Sequence, residues 1–331
     1  MVKQEVLAAL DAVRGRYISG QELAAQLGVS RTAVWKAVAA LRRDGIPIKA
    51  VTNRGYTLAQ SVDVLNAAAV AVQLDEATVK ALQIEVVDRL PGTNAALRSR
   101  ADAGAREGLV LIAQAQSAGR GRGGHSFYSP PGGLYMSILL RPEIGARQAV
   151  GLTAMAAVAA ARAAERLCGV PITIKWVNDL YLDGKKCCGI LTEGEVSLES
   201  GKLECAIIGI GINVRNTQSS LPPELHPIVT SLEEAIPGCQ VRRSELLAAV
   251  LYELEILLPE LSFRRFLPEY RDRSCLIGKT AEITMENGAR KKVAVVEIAD
   301  DCGLVVRDSY GNVETLHAGE VHIGSGNLSD S

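Results

Sequence analysis

The sequence has no Cys-x-x-Cys pair among its seven cysteines, and only four histidines in 331 residues. Cys187 and Cys188 are adjacent and would face opposite ways on a strand. The set reads as reduced thiols and excludes a disulfide framework or a zinc site. His125, His226, His317 and His322 share no metal-ligand spacing, so no protein-held metal is expected. The N-terminus enters a polar amphipathic helix at once, without a signal segment, and the expected location is cytoplasmic. The most membrane-like stretch, Ala149 to Leu167, carries Arg162, Glu165 and Arg166 and reads as a buried helix; no membrane partner is expected. Internal repeats are absent, as is low-complexity sequence outside that alanine-rich stretch.

What is present is ordinary for a globular chain: 48% hydrophobic and 22% charged residues. The length suits two or three domains. Net charge is −1 overall, yet residues 1–60 hold nine Lys+Arg against four Asp+Glu, and the remainder holds 27 against 33. A basic head on an acidic body suggests that the head alone meets a polyanion.

In the head, Val2, Val6, Leu7, Leu10 and Val13 recur at helical spacing. Ser19-Gly20-Gln21-Glu22 is a capping box opening a second helix that stops at Gly28. Ser30 caps a third, with Val34, Val38 and Leu41 on one face. The pattern is a helix-turn-helix over Gly20–Ala39. Arg31, Thr32, Trp35 and Lys36 lie near the start of the third helix, where a recognition helix touches bases and phosphates. A hairpin wing follows around Asn53-Arg54-Gly55, with Arg54 at its tip. The implied partner is DNA; the alternative is a three-helix packing unit with no ligand.

Residues 61–82 read as a linker, helical over Val64, Leu65, Ala68 and Val72. In the body, residues 83–274, strands are expected at Ile84–Arg89, Leu109–Gln116, Leu134–Leu140, 172–177, 187–194 and 203–213, with a helix at Thr93–Ala103. Short hairpin links, one of them Asp183-Gly184-Lys185-Lys186, make the sheet mixed or antiparallel. Helices are expected at Ser244–Leu258 and Leu261–Tyr270. Residues 275–324 then alternate as short strands at Thr280–Met285, Lys292–Ile298, Leu304–Asp308 and Val313–Leu316, with a tight turn at Asn287-Gly288. A tail, 325–331, ends the chain.

Three segments carry chemistry. Gly119-Arg120-Gly121-Arg122-Gly123-Gly124 contains G-x-G-x-x-G, but Ser126 to Gly133 cannot start the helix a dinucleotide fold needs, which argues against a Rossmann dehydrogenase. Glycines alternating with arginines suit a mobile cationic loop closing over an anion. In Ile172-Thr173-Ile174-Lys175-Trp176-Val177-Asn178-Asp179, a lysine within an apolar strand calls for an anionic partner. The alternatives are a strand-edge lysine with its stem on the core, and Asp179 as a turn cap. In Gly209-Ile210-Gly211-Ile212-Asn213-Val214 one face is nearly free of side chains, which suggests close approach by a ligand or another backbone.

These segments, with Thr93-Asn94, Gln116, Leu134-Tyr135-Met136-Ser137 and Gly189-Ile190-Leu191-Thr192-Glu193, resemble in order and spacing the bifunctional biotin protein ligases that also repress biotin genes. The resemblance implies an α+β fold: a class II aminoacyl-tRNA synthetase-like catalytic domain, an N-terminal winged helix and a small SH3-like barrel. It implies that Gly92, Thr93, Asn94 and Gln116 hold the biotin ureido ring. Arg120, Gly121 and Arg122 belong to the loop ordered by biotin and biotinyl-5'-AMP, and Lys175 meets the biotin carboxylate and the α-phosphate. Gly119, Arg122, Lys175, Asn178 and Asn213 are assigned to ATP or the adenylate, and residues 214–228 to a covering loop. Lys175, Arg122, Arg120 and Asp179 are the candidate catalytic groups, Asp179 orienting or deprotonating the acceptor amine. Substrates and cofactors would be biotin, ATP and Mg²⁺. Partners would be a biotin carboxyl carrier protein, operator DNA and a second copy of the chain. Three positions depart from the pattern: Gly92 stands for a usual Ser, His125 for Arg and Val177 for a frequent Pro. The alternatives are a small-molecule-sensing regulator without ligase activity and a lipoate-type ligase of related fold.

Overall fold

The computed structural model describes residues 2–43, 45–59, 62–71, 73–145, 148–197, 199, 201–216, 218–284, 289–317 and 320–323. The head packs α1 (Val2–Ala12), α2 (Gly20–Leu27) and α3 (Arg31–Arg43) around Val6, Leu10, Leu23, Val34, Val38 and Leu41. Both arms of the capping box form: Ser19 Oγ accepts from the Glu22 amide at 3.1 Å, and Glu22 Oε2 from the Ser19 amide at 2.8 Å. Gly28 closes α2 at φ 65°. Ser30 Oγ caps α3 through the Ala33 amide at 3.1 Å. β1 (Ile48–Val51) and β2 (Gly55–Leu58) form the antiparallel wing. A Cβ at Gly55, where φ is 96°, would lie 2.2 Å from the Ile18 carbonyl, so only glycine fits.

The segment after the wing differs from its expected form. Val64 and Leu65 are buried but not helical. The helix α4 covers only Ala67–Ala71, because Asn66 Oδ1 takes the Ala69 amide at 2.8 Å and starts it there. Val72 lies outside the described residues. Asp75 caps a second short helix, α5 (Glu76–Ala81). Val64 and Ala69 join the head core while Leu65 and Val70 join the body core, so the segment is packed on both sides.

The body opens with β3 (Gln83–Leu90), α6 (Thr93–Asp102), β4 (Leu109–Gln116) and β5 (Leu134–Leu140). Then come the long helix α7 (Ala149–Cys168), β6 (Thr173–Lys175), β7 (Asp179–Leu182), β8 (Lys185–Val196) and β9 (Leu203–Ile212). The seven strands order as β3-β4-β5-β9-β8-β7-β6, with only β3 and β4 parallel. The alanines of α7 pack flat on one sheet face beside α9 (Arg243–Leu257), after the short α8 (Leu232–Ala235). No helix follows the loop glycines, so the rejection of the dinucleotide fingerprint holds.

Three expected elements are corrected. The strand expected over 172–177 stops at Lys175, turns at Trp176–Asn178, whose Trp176–Val177 peptide is cis, and returns as β7. Asp183 and Gly184, at φ 48° and 73°, make the tight turn into β8, which begins at Lys185. The helix expected over Leu261–Tyr270 shrinks to α10 (Leu267–Asp272), because the chain turns through residues 260–266 with Arg264 at φ 53°.

The C-terminal part is an antiparallel sheet of β10 (Thr280–Thr284), β11 (Arg290–Ile298), β12 (Leu304–Arg307), β13 (Val313–Leu316) and β14 (Glu320–Ile323). The strand order is β13-β12-β11-β10-β14 with a bulge at Val295/Glu297, consistent with a small barrel. β14 carries no strand expectation from the sequence. The sheet's Ala281, Ile283, Val293 and Val295 share the core that contains α7. The turn at Asn287-Gly288 and the tail 325–331 lie outside the described residues. Among those residues no helix is long and apolar enough to cross a membrane.

Candidate active site

A cleft of about 1680 Å³ opens on the sheet face away from α7, under the glycine–arginine loop. Gly92, Thr93, Asn94, Gln116, Arg120, Gly121, Arg122, Lys175, Asn178 and Asp179 all line it. Loop and strand lysine thus converge on one cavity, although 53 positions separate Arg122 from Lys175.

One end is a hydrogen-bonding network at the start of α6. The Thr93 amide donates to Gln116 Oε1 at 2.8 Å, and Gln116 Nε2 donates to Ser129 Oγ at 2.7 Å. Ser137 Oγ, fully buried on β5, lies 2.7 Å from Thr93 Oγ1 and 2.6 Å from Asn94 Oδ1. Asn94 Nδ2 donates to the Leu191 carbonyl at 3.1 Å and to Glu193 Oε2 at 2.7 Å. Donors and acceptors are therefore fixed in direction, as recognition of a small polar ring requires. A Cβ at Gly209 would fall 2.1 Å from Asn94 Oδ1, and one at Gly211 2.5 Å from the Phe127 ring. The bare face of β9 is thus covered by Asn94 and by the loop's own Phe127. Gly92 caps α6 without a side chain, and a Cβ there would meet nothing nearer than 3.7 Å.

The other end is cationic. Lys175 Nζ, on the last residue of β6, donates to Tyr181 Oη at 3.4 Å. Burial, then the Asp179 charge, push the Tyr181 phenol well up, so it stays a neutral hydroxyl. Lys186, on β8, puts its Nζ 2.7 Å from Asp179 Oδ1 and 5.9 Å from the Phe127 ring centroid. Arg122 reaches across with its guanidinium 5.8 Å from the Trp176 ring centroid. Lys279, at the start of the C-terminal sheet, also faces the cleft. Trp176 Nε1 donates to the Cys302 carbonyl at 2.8 Å, so that sheet fixes the cationic wall.

The loop forms a narrow hairpin: Gly121 donates its amide to the His125 carbonyl at 2.7 Å, and Phe127 to the Gly119 carbonyl at 2.9 Å. Gly119 is packed under that turn, where a Cβ would lie 2.4 Å from the Phe127 carbonyl, and it does not line the cleft. Asn213 does not line it either. Its Nδ2 donates to the Thr230 carbonyl at 3.1 Å, and its own carbonyl accepts from Leu232, so it anchors the following segment. Asn178 lines the cleft, but its amide donates to the Ile190 carbonyl at 2.7 Å. Pro227 and Ile228 carry the 214–228 segment to the rim.

Sequence reasoning missed Glu193, Phe127, Tyr181, Lys186 and Lys279 as cleft groups, and Ser137 as the buried hydroxyl that orders Thr93 and Asn94 behind it. Lys186 carried the signal used for Lys175, a lysine entering an apolar run (Cys187-Cys188-Gly189-Ile190), but reading it as a turn residue hid it.

Away from the cleft, α3 exposes Arg31, Thr32 and Lys36, with Trp35 61% exposed, and the Arg54 guanidinium stacks 4.4 Å from the Tyr17 ring centroid at the wing.

Residues 86–213 match the Biotin/lipoate A/B protein ligase family, and residues 3–57 match an HTH domain. The bifunctional ligase/repressor BirA of Bacillus subtilis is 31% identical over 327 residues, 98% of this chain and 99% of its own length. The chain belongs to the family of bifunctional biotin ligase/repressors. Its Escherichia coli member, also BirA, is 30% identical over 94% of both chains. A biotin protein ligase from Aquifex aeolicus, solved with biotin and ATP, superposes at TM-score 0.61 and 26% identity, covering 72% of this chain and 97% of its own. Membership in the ligase/repressor family accounts for a DNA-type head and an anion-ready cleft in one chain.

Proposed function

We propose that the chain joins biotin to ATP as biotinyl-5'-AMP, transfers biotin to a lysine of a biotin carboxyl carrier protein, and represses biotin genes when the adenylate is not consumed. The observation that carries this reading is a single cleft with two unlike ends: fixed hydrogen-bond groups at one, converging cations at the other. A carboxylate does not acylate an amine in water, so it must first be activated. Thr93, Asn94, Gln116 and the backbone at Gly92 would hold the ureido ring and aim the valeryl carboxylate towards Lys186. That carboxylate attacks the α-phosphorus of ATP and pyrophosphate leaves. Lys186, Lys175, Arg120 and Arg122 offset charge on the phosphoryl oxygens as the bond forms.

On this reading Lys186 joins Lys175, Arg120 and Arg122, the cations expected from the sequence. Lys186 sits between the two ends, against Phe127 and the glycine floor. Lys175 sits beside Tyr181, towards Lys279, where the departing phosphates would lie. Asp179, paired with Lys186, orients that lysine and stands near the entry of the acceptor amine. The amine attacks the biotinyl carbonyl and AMP leaves. Gly121 lets the loop close over the mixed anhydride and shield it from water. Among the described residues no cluster of three or more acidic, His or Cys side chains fits a metal ion, so Mg²⁺ would enter on the triphosphate oxygens and neutralise them.

The domain limits that suit this reading are 1–60 for the head, 61–82 for the connector, 83–274 for catalysis and 275–324 for the barrel. With adenylate bound, two chains would pair in the cytoplasm and set Arg31, Thr32, Trp35, Lys36 and Arg54 of each head on a palindromic operator. Calorimetry with biotin, then ATP and Mg²⁺, followed by mass spectrometry of the bound product, tests the reading. Biotin alone should bind and the second addition should yield biotinyl-5'-AMP. Binding without adenylate would leave a small-molecule-sensing regulator, and preference for lipoate would leave a lipoate-type ligase.

A further inference from the structure

Four consecutive residues join the head to the body, and each makes a different attachment. The Val62 carbonyl accepts from Arg14 at the end of the first head helix. Val64, 3% exposed, fills the head core, and Leu65, 4% exposed, fills the body core. The Leu65 carbonyl accepts from Gln114 of β4 at 3.1 Å. Between Val62 and Val64, Asp63 turns inward, with its side chain 4% exposed. It accepts from the Arg243 amide at 2.9 Å and from Arg243 Nε, and lies 3.8 Å from Arg215 Nε.

Those two arginines grip the root of the glycine–arginine loop. Arg243 Nη1 donates to the Gly133 carbonyl at 3.1 Å, and the Arg215 amide donates to the Gly132 carbonyl at 3.1 Å. Gly132 sits at φ +106°, and a Cβ at Gly133 would lie 2.2 Å from Tyr135 Oη, so the root admits no side chain. Tyr135 Oη donates to the Pro130 carbonyl at 2.8 Å and accepts from Asn216 at 2.9 Å. The Tyr135 ring meets Phe127 edge-on at 6.4 Å, and Phe127 is the ring over Lys186.

We infer that Asp63 is a positioning residue for the ligand loop and couples that loop to the DNA-binding head within one chain. Its carboxylate holds Arg243 in the rotamer that reaches Gly133, so the loop root and the base of the head share one buried anchor. Ligand that orders the loop tightens this anchor and with it the strap 62–65. By linkage, whatever orders the strap from the head side favours the ordered loop. The inference rests on the reading of the loop as the cover of the adenylate, and it adds a route that needs no second chain.

The test uses full-length protein and the Asp63→Asn variant, which keeps size and one acceptor oxygen but removes the charge. In ligand-free protein, hydrogen exchange at residues 127–133 should rise in Asp63→Asn while exchange in the catalytic sheet stays at the wild-type level. In biotin-dependent pyrophosphate–ATP exchange, KM for biotin should rise about tenfold, with kcat changed by less than about twofold. Biotin should slow exchange at 62–65 in the wild type and not in the variant. Arg243→Lys, which keeps a cation for Asp63 but loses the fork to Gly133, should reproduce the loop effect and decides the matter if Asp63→Asn does not fold. Wild-type loop exchange and wild-type KM in a folded variant would overturn the inference. If biotin leaves residues 118–130 of the wild type unprotected, the covering role of the loop fails, and the ligand-free comparison at 127–133 still decides whether Asp63 holds its root.

Discussion

The two ends of the cleft solve different problems with different chemistry. The Thr93–Asn94–Gln116–Ser137 end is a closed hydrogen-bond chain built on α6, β4 and β5, where each group has its direction set by a neighbour. The Lys175–Lys186–Arg122 end is built on β6, β8 and the loop, and its cations are held by one carboxylate, a phenol and aromatic faces. Directional groups recognise a neutral ring; clustered cations meet charge that grows during reaction. Loss at the first end should appear in substrate binding, and loss at the second in the rate of activation.

The largest effect should come from Lys186→Ala. Biotin-dependent pyrophosphate–ATP exchange should fall about 10²–10³-fold, with unchanged circular dichroism. Lys175→Ala, further towards the departing phosphates, should cost about tenfold less. Equal losses would merge the two roles, and near-normal exchange in both would end the assignment of a cationic end.

Ser137→Ala breaks the comparison from the other side. It strands Asn94 Oδ1, while Thr93 Oγ1 keeps its bond to Gln116 Oε1; the cost of about 1–3 kcal/mol should raise KM for biotin and leave kcat nearly untouched. A matching fall in kcat would show that the two ends do not work separately.

Acid should loosen the cationic end first. β6 is held from behind by Glu165, which accepts from the Ile172 amide at 2.7 Å and pairs with Arg273. Burial pushes the Glu165 carboxyl up, but the bonds from Arg273 and the Ile172 amide outweigh it and hold the carboxyl below its usual range. A lowered carboxyl stabilises the fold above its ordinary pKa, and that contribution is lost as pH falls through the lowered value. Hydrogen exchange measured from neutral pH to below the ordinary carboxylate range should show residues 172–175 opening before 109–116; the reverse order would refute the anchor.

The smallest effect should be a gain. The Gly92 backbone is extended and has room for a side chain. Gly92→Ser should cap α6 and tighten biotin binding by up to about tenfold, measured by calorimetry. Weaker binding would mean that the missing hydroxyl is already replaced.

Sequence by itself determined what depends on near neighbours in the chain. The Ser19–Glu22 box, the Gly28 stop, the Ser30 cap, the wing and most strands of the body are legible because caps, turns and alternation act over a few residues. It also marked both cationic motifs and the bare face of Gly209 and Gly211. Only the tertiary structure decided what fills that face, since Asn94 and Phe127 reach it from a helix and a loop more than eighty positions away. It likewise chose Lys186 as Asp179's partner, withdrew Gly119 and Asn213 from the cleft, and tied the head to the loop root through Asp63. Those outcomes follow from strand register and from which buried charge finds which partner, and neither is encoded within any one short segment.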